Sequence, residues 1–365
     1  MIPSDPAALP HCPPLPIDDW AAHRPAVVEA VQQHVYGWLP PAGATRAEPL
    51  AEPATILDGR GVCRQWRVTA ELPGGAEHAW NLVLFTPAGA PAPVPTFLAI
   101  NRVASHLLIA EPCLLEAHLP DLRDEDKPFL DAGRGSRSGF FPVERILSRG
   151  FGLATTSGYE IEPDVPGTRH GIRAQWPGEG DPASRWGALA AWAWGLGRMV
   201  DVLVGVEDVD AGRLIATGHS RRGKAALLAA AMDTRIAMAI PHQSGTGGMA
   251  LSRLAPAESV RRITTSFPHW FCPGFADYAG RETDLPLDQH YLAALLAPRP
   301  LLDTEGFCDD WASPHLAQRT CRLIQPLYAA LGAPGRVTQI VLDTPHTLSP
   351  AWWDVFCDHA GRLLG

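Results

Sequence analysis

The run Arg213-Leu-Ile-Ala-Thr-Gly-His-Ser-Arg-Arg-Gly-Lys224 leads an apolar strand into a glycine-flanked serine and then into an Ala/Leu-rich helix. That is the pattern of a nucleophile elbow: Gly218 and Gly223 let two backbones crowd together while Ser220 sits on the tight turn with its hydroxyl raised. The spacing is Gly-x-Ser-x-x-Gly rather than Gly-x-Ser-x-Gly, and a serine capping a helix start is the competing reading. A serine hydroxyl at neutral pH needs a base to take its proton and an acid to orient that base. On this kind of scaffold both partners follow the serine in the chain, on loops after later strands. Residues 337–342 read as the last strand, and Asp343-Thr-Pro-His346 follows at once, so His346 is the candidate general base; a surface-loop histidine is the alternative. The strand before it, 300–303, feeds Thr304-Glu-Gly-Phe-Cys-Asp-Asp-Trp311, where Asp309 and Asp310 compete for the acid. Successive side chains diverge on extended backbone, so only one can face His346. Asp309 is the narrower choice, and either could instead cap a helix starting near Pro314.

These groups need a scaffold that brings distant stretches to one edge. Strand-like runs at 95–100, 152–156, 213–217, 236–240, 300–303 and 337–342 alternate with loops and helices. Such alternation marks an α/β protein, a mostly parallel sheet with helices on both faces. Ahead of them, 61–68 and 78–85 are β-rich and separated by Leu72-Pro-Gly-Gly75, which predicts a hairpin. Helices are expected at 186–203, 224–232, 314–331 and 352–364; the first is apolar over much of its circumference, so its tryptophans belong to the core. Residues 1–55, rich in Pro and Ala around a helix at 20–36, read as an N-terminal extension packed on the main body, with 56–365 as one catalytic domain.

A chain of 365 residues, 46% hydrophobic, can bury a large core. Its formal net charge of −9 argues against nucleic acid, which asks for a basic face. No apolar run reaches the ~20 residues that cross a bilayer, and Met1-Ile-Pro-Ser-Asp-Pro6 has neither a basic nor an apolar leader region. The chain as written is expected to be soluble, without a visible export signal. Seven scattered cysteines disfavour a complete disulfide framework and leave room for one bridge. None forms a Cys-x-x-Cys pair, and the fourteen histidines show no metal-ligand spacing, so neither metal nor organic cofactor is expected. The expected partner is a small-molecule or glycan ester; oligomeric state leaves no signature.

Several segments then carry a resemblance: Thr217-Gly-His-Ser-Arg-Arg-Gly-Lys-Ala225, Ser244-Gly-Thr-Gly-Gly248, Thr265-Ser-Phe-Pro-His-Trp-Phe271, Asp288-Gln-His290, Ala297-Pro-Arg-Pro300 and Asp310-Trp-Ala-Ser-Pro314. With Pro142-Val-Glu-Arg-Ile-Leu-Ser-Arg-Gly150 and Trp186-Gly-Ala-Leu-Ala-Ala-Trp-Ala-Trp194 upstream, the stretch from about 95 to 365 resembles the glucuronoyl esterases of carbohydrate esterase family 15, in their bacterial branch. The resemblance implies an α/β-hydrolase fold, a three-layer sandwich with a mostly parallel central sheet. It also implies a serine esterase cleaving esters between 4-O-methyl-glucuronate on xylan and lignin alcohols. Ser220 matches the nucleophile and His346 the base. Arg221 matches an arginine serving the oxyanion hole through its backbone N–H and side chain. Lys224, Glu258 and Trp311 match substrate-binding residues around the sugar, and Gln243 is placed with them. Arg222 has no match and is expected to be solvated or salt-bridged.

Gln243 is also a departure, because fungal and several bacterial relatives carry their catalytic Glu there. An amide does not stabilise imidazolium charge, which moves that task to Asp309 or Asp310. The loop at Asn101-Arg102, where a second oxyanion donor usually lies, departs from the bacterial pattern and stays unassigned. Two other readings remain: a general acetyl or carboxylesterase on the same frame, and a catalytically weakened carbohydrate-binding or scaffold protein. The family often works outside the cell, so the compartment stays open.

Overall fold

The first strands form where backbone pairing, not side-chain pattern, does the selecting. Strands β1 (Thr45–Pro49) and β2 (Ala54–Ile56) lack a buried alternating face, the signal a sequence reading relies on. Both pair antiparallel with β3 (Gly61–Glu71), whose Cys63, Gln65, Val68 and Ala70 are buried. β3 runs antiparallel to β4 (Glu77–Pro87) along its whole length, from Gly61↔Pro87 to Glu71↔Glu77. The expected hairpin is therefore present, and its turn places Gly74 and Gly75 at φ 79° and 78°. β5 (Val94–Asn101) lies parallel to β6 (Gly152–Ser157), which also pairs antiparallel with β4; every residue of β6 is buried. β7 (Val209–His219) is longer than the expected 213–217. After it come β8 (Ile236–His242), β9 (Leu301–Gly306) and β10 (Val337–Leu342), parallel to one another. β9 runs three residues past its expected end, because Thr304 and Glu305 are polar yet wholly buried, and hydropathy stops at Asp303.

This computed structural model describes Leu9, Cys12, residues 14–117 and residues 119–365; the start of the expected N-terminal extension lies outside the described residues. Two units interleave along the chain. One comprises the described residues of Met1–Leu39 with Gly178–Ala193 and Thr217–Thr347; the other comprises Pro40–Pro177, Trp194–Ala216 and Leu348–Gly365. The first holds β8, β9, β10 and the helices Arg221–Met232 and Pro314–Ala330. The second holds β1 to β6, most of β7 and the C-terminal helix Pro350–Leu364. No helix among the described residues is long and apolar enough to cross a membrane.

The expected buried helix runs over Ala188–Leu203, and Trp186, Trp192 and Trp194 are all buried, as its apolar circumference requires. It starts two residues late because the amides of Ala188 and Leu189 bond instead to the carbonyls of His269 and Trp270. The helix expected at 20–36 is α-helical over Trp20–Val31 and then winds through a π-helical turn, Gln32–Tyr36, into Gly37. Gly37 has φ 84°, and a Cβ there would lie 2.2 Å from the Trp186 Cα. The Tyr36 hydroxyl donates to the carbonyl of Gly247, tying this segment to the glycine-rich loop after β8. Replacing Gly37 by Ala combines a disfavoured φ with a backbone clash, and is expected to lower unfolding free energy by about 2 kcal/mol or more. Urea denaturation of the two proteins measures this; an unchanged midpoint would contradict the close approach.

Candidate active site

All the site geometry described here lies within the unit that contains 217–347. β7 ends at His219, Ser220 adopts φ 59° and ψ −125°, and the helix Arg221–Met232 starts at the next residue. That helix begins three residues before the expected 224, so Arg221 occupies its first turn, where backbone N–H groups lack intrahelical partners. A Cβ on Gly218 would lie 2.5 Å from the Arg222 carbonyl, and one on Gly223 would lie 2.8 Å from the Gly218 oxygen. Both glycines are thus required by the close approach that their spacing suggested. The Ser220 amide donates to the His242 carbonyl (2.9 Å), so the capping reading fails: its side chain caps nothing and is half-buried.

His346 and Asp309 meet although 37 residues separate them. His346 Nδ1 lies 2.6 Å from Asp309 Oδ2, and Asp309 Oδ1 accepts the Ala312 amide at 3.1 Å. Asp309 is buried; Asp310 is exposed and takes no part in this contact. The open choice between the two carboxylates is closed by the turn after β9. With Nδ1–H committed to the carboxylate, Nε2 is the His346 nitrogen left to accept a proton. The His346 ring sits 4.5 Å from the ring of His219, the residue immediately before Ser220.

Gln243 acts as a brace for this loop. Its Nε2 donates to the Pro345 carbonyl (2.8 Å) and its Oε1 accepts the Thr347 amide (2.8 Å), so the two bonds bracket His346. Oε1 also receives a bond from His219 Nε2 at 3.0 Å. The side chain is only 1% exposed. This corrects its placement among substrate-binding residues, because its amide is consumed by the loop. Neighbouring His242 is buried, with Nε2 3.0 Å from the Thr347 carbonyl and Nδ1 3.0 Å from the Thr304 hydroxyl. Nδ1 also lies 3.1 Å from the Thr304 carbonyl, so a neutral ring, which donates from one nitrogen, serves one of the two carbonyls at a time. Burial, above all, drives its pKa down to about 4 and pushes that of His219 well below the ordinary histidine value.

Around the elbow the cations are fixed by aromatic faces. The Arg221 guanidinium lies 4.4 Å from the Trp270 ring centroid and 5.0 Å from that of Phe267, two rings stacked 3.7 Å apart. Arg222 is buried and not solvated, with its guanidinium 4.8 Å over Trp192. The buried helix thus supplies the ring that holds it. Lys224 Nζ donates to the Ser244 carbonyl (2.6 Å) and to Glu258 Oε2 (2.7 Å). Glu258 also accepts the Thr246 amide (3.0 Å) and Trp311 Nε1 (2.8 Å). Lys224, Glu258 and Trp311 therefore form one network, and Ser259, not Glu258, caps the helix that follows. Burial lowers the Lys224 pKa, opposed by Glu258. In the other unit, Asn101 bonds Ser105 and Thr155, and Arg102 pairs with Asp126 and Glu125.

Two buried carboxyls on β9 escaped the sequence reading. Asp303 and Glu305 stand two apart on β9, hence on one face, and are fully buried; a polar i, i+2 pair in a strand was the available signal. Gln339 Nε2 donates to Asp303 Oδ2 at 2.7 Å. Burial pushes Asp303 up to about 7. It pushes Glu305 well above the carboxylate range, with Asp303 and Asp309 adding to the effect.

With this geometry in place, comparison with known proteins gives consistent matches. The family model for fungal glucuronyl esterases matches residues 181–332. A carbohydrate esterase from an unknown prokaryotic organism is 32% identical over 373 residues, covering 93% of this chain and 84% of that protein. A solved structure of a promiscuous family 15 carbohydrate esterase from a marine bacterial metagenome superposes with TM-score 0.83 at 30% identity, covering 93% of this chain and 91% of that one. The chain belongs to the glucuronoyl esterases of carbohydrate esterase family 15. Its fold is accordingly that of an α/β-hydrolase with a mostly parallel sheet. A 4-O-methyl-glucuronoyl methylesterase from Wolfiporia cocos is 37% identical over 156 residues, 40% of this chain and 38% of that protein.

Two outcomes follow for this family 15 site. Asp309→Asn is expected to lower kcat for an ester substrate about 10³- to 10⁴-fold with the fold intact, while Asp310→Asn stays within about threefold of the parent; equal losses in both would contradict the assignment. Asp303 and Glu305 have folded-state pKa values above their unfolded ones, so the native state keeps protons that the unfolded chain releases. Their contribution to stability is full below about pH 4 and is lost as pH rises through about 7 and beyond. Urea midpoints should fall more steeply between about pH 5 and 8 in the parent than in an Asp303→Asn/Glu305→Gln variant; parallel curves would refute it.

Proposed function

We propose that this esterase hydrolyses esters of 4-O-methyl-glucuronate through an acyl-enzyme on Ser220. The observation that carries the reading is the Asp309 carboxylate 2.6 Å from His346 Nδ1, with the His346 ring beside the elbow. Relatives named 4-O-methyl-glucuronoyl methylesterases support the substrate class.

In this reading His346 Nε2 takes the Ser220 proton as Oγ attacks the ester carbonyl, and Asp309 stabilises the imidazolium. Arg221, immobilised on Trp270 and Phe267, meets the negative charge on the carbonyl oxygen with its backbone N–H and guanidinium. Collapse passes the proton from His346 to the departing alcohol. His346 then deprotonates a water that releases the uronic acid and restores Ser220. Lys224, Glu258 and Trp311 form the sugar subsite. Lys224 and Glu258 are each 1% exposed and bonded to one another, so of this network the half-buried Trp311 is the part that faces the sugar.

Asp309 beside His346 supplies the carboxylate missing at 243, which takes away one of the two motives for a catalytically weakened protein, the other being the loop at Asn101-Arg102. A broader esterase is the second reading, favoured by the likeness to an esterase described as promiscuous. Ser220→Ala is expected to lose at least about 10³-fold in turnover of benzyl 4-O-methyl-glucuronate and to lose labelling by a fluorophosphonate probe. Wild-type kcat/KM for that ester should exceed the value for a short acyl nitrophenyl ester; the reverse order favours the broader esterase. Wild-type turnover in the alanine variant would remove Ser220 from the chemistry.

A further inference from the structure

Among the described residues all seven cysteines are free thiols. Cys63 lies on the buried face of β3, and its side chain interacts with that of Cys113. The backbone of residues 113–115 is held against the same face of β3. Gln65, two residues along the same face of β3, donates from Nε2 to the Cys113 carbonyl (2.8 Å) and accepts the Leu115 amide at Oε1 (2.9 Å). One side chain thus clamps the backbone on both sides of residue 114 directly alongside Cys63. Arg134 adds a bond to the Leu114 carbonyl at 2.8 Å, holding the segment from the other side.

We infer that Cys63 and Cys113 form a dithiol–disulfide pair, which a small-molecule disulfide oxidant closes into a covalent bridge between β3 and the loop after β5.

The two thiols divide the work by exposure. Cys113 is half-buried and reachable, whereas Cys63 is 1% exposed. Interaction with Cys63 lowers the Cys113 pKa, which favours its thiolate, while the same interaction and burial push the Cys63 thiol up. The Cys113 thiolate attacks one sulfur of the oxidant's disulfide, forming a mixed disulfide and expelling one oxidant thiolate. Cys63 then attacks Cys113 Sγ, forming the Cys63–Cys113 bond as its proton passes to the departing second oxidant thiolate. The protein pair gives up two electrons and two protons, and one oxidant disulfide becomes two thiols. The bridge closes a ring over residues 63–113, a stretch that includes β4 and β5. Closing a loop of this length restricts the unfolded chain and stabilises the native one. Of the other cysteines, Cys308 is exposed and Cys12, Cys272, Cys321 and Cys357 are buried. Cys308 is therefore the competing target for the oxidant, ending as an adduct.

The experiment incubates the full chain, in a Cys308→Ser background, with oxidised glutathione, then quenches with acid, alkylates and maps peptides. The expected product joins the peptides containing Cys63 and Cys113, two hydrogen masses below their sum, with two fewer alkylated thiols and a Tm about 5 °C higher, reversed by dithiothreitol. Cys63→Ser should instead stop at a stable glutathione adduct on Cys113. Should that variant fail to fold, the peptide map of the parent decides alone. Separate alkylation or separate glutathione adducts on Cys63 and Cys113 after full oxidation would overturn the inference, as would bridging of either to another cysteine.

Discussion

A non-glycine residue at φ 59° between a strand and a helix is the constraint from which the rest of this site is built. Such a backbone costs of order 1 kcal/mol or more and persists only where the surroundings over-determine it. Here they do so from two directions. Gly218 and Gly223 remove the two Cβ atoms that would keep β7 from the helix, and the Ser220 amide is pinned to the carbonyl of His242, the last residue of β8. The next residue, Gln243, itself has positive φ and reaches across to residues 345 and 347. Strain at the elbow and placement of the His346 loop are thus secured through two consecutive residues, 242 and 243.

This arrangement explains how an amide can stand at 243 without leaving the base unsupported. The two tasks of an acid, holding the histidine and balancing its charge, are divided. Gln243 holds the loop by hydrogen bonds that an uncharged group makes well, while Asp309 faces the ring nitrogen with the charge. Desolvation keeps the surroundings neutral: His219 and His242 are driven toward their uncharged forms, and Glu305 toward its protonated one. Positive charge is met separately, by Glu258 on the buried Lys224 and by aromatic faces under the half-buried Arg221 and the buried Arg222. Removing one partner of the Lys224–Glu258 pair would leave a buried charge uncompensated, a far larger penalty than the pair's own net contribution.

Legibility differed residue by residue. Ser220 and His346 were readable because each sits directly after a strand whose apolar run is a local signal, and β10 spans 337–342 as read. Gly218 and Gly223 were readable because only a close approach requires their spacing. Glu305 was hidden because hydropathy ended β9 too early, and β1 and β2 because pairing with β3 substitutes for a pattern of their own. The burial of Arg222 was not legible because the ring it lies over, Trp192, comes thirty residues earlier on a helix read as plain core.

The sequence by itself determined which groups are present, their order along the chain and the α/β alternation that carries them, since strand periodicity and a strand–turn–helix motif are properties of adjacent residues. Tertiary structure alone decided that Asp309 and not Asp310 meets His346, and that Gln243 braces rather than binds. Those outcomes depend on where a hydrogen-bonding atom lands after tens of intervening residues have folded, and on which atoms are sealed from water. Neither distance nor desolvation is written in local pattern.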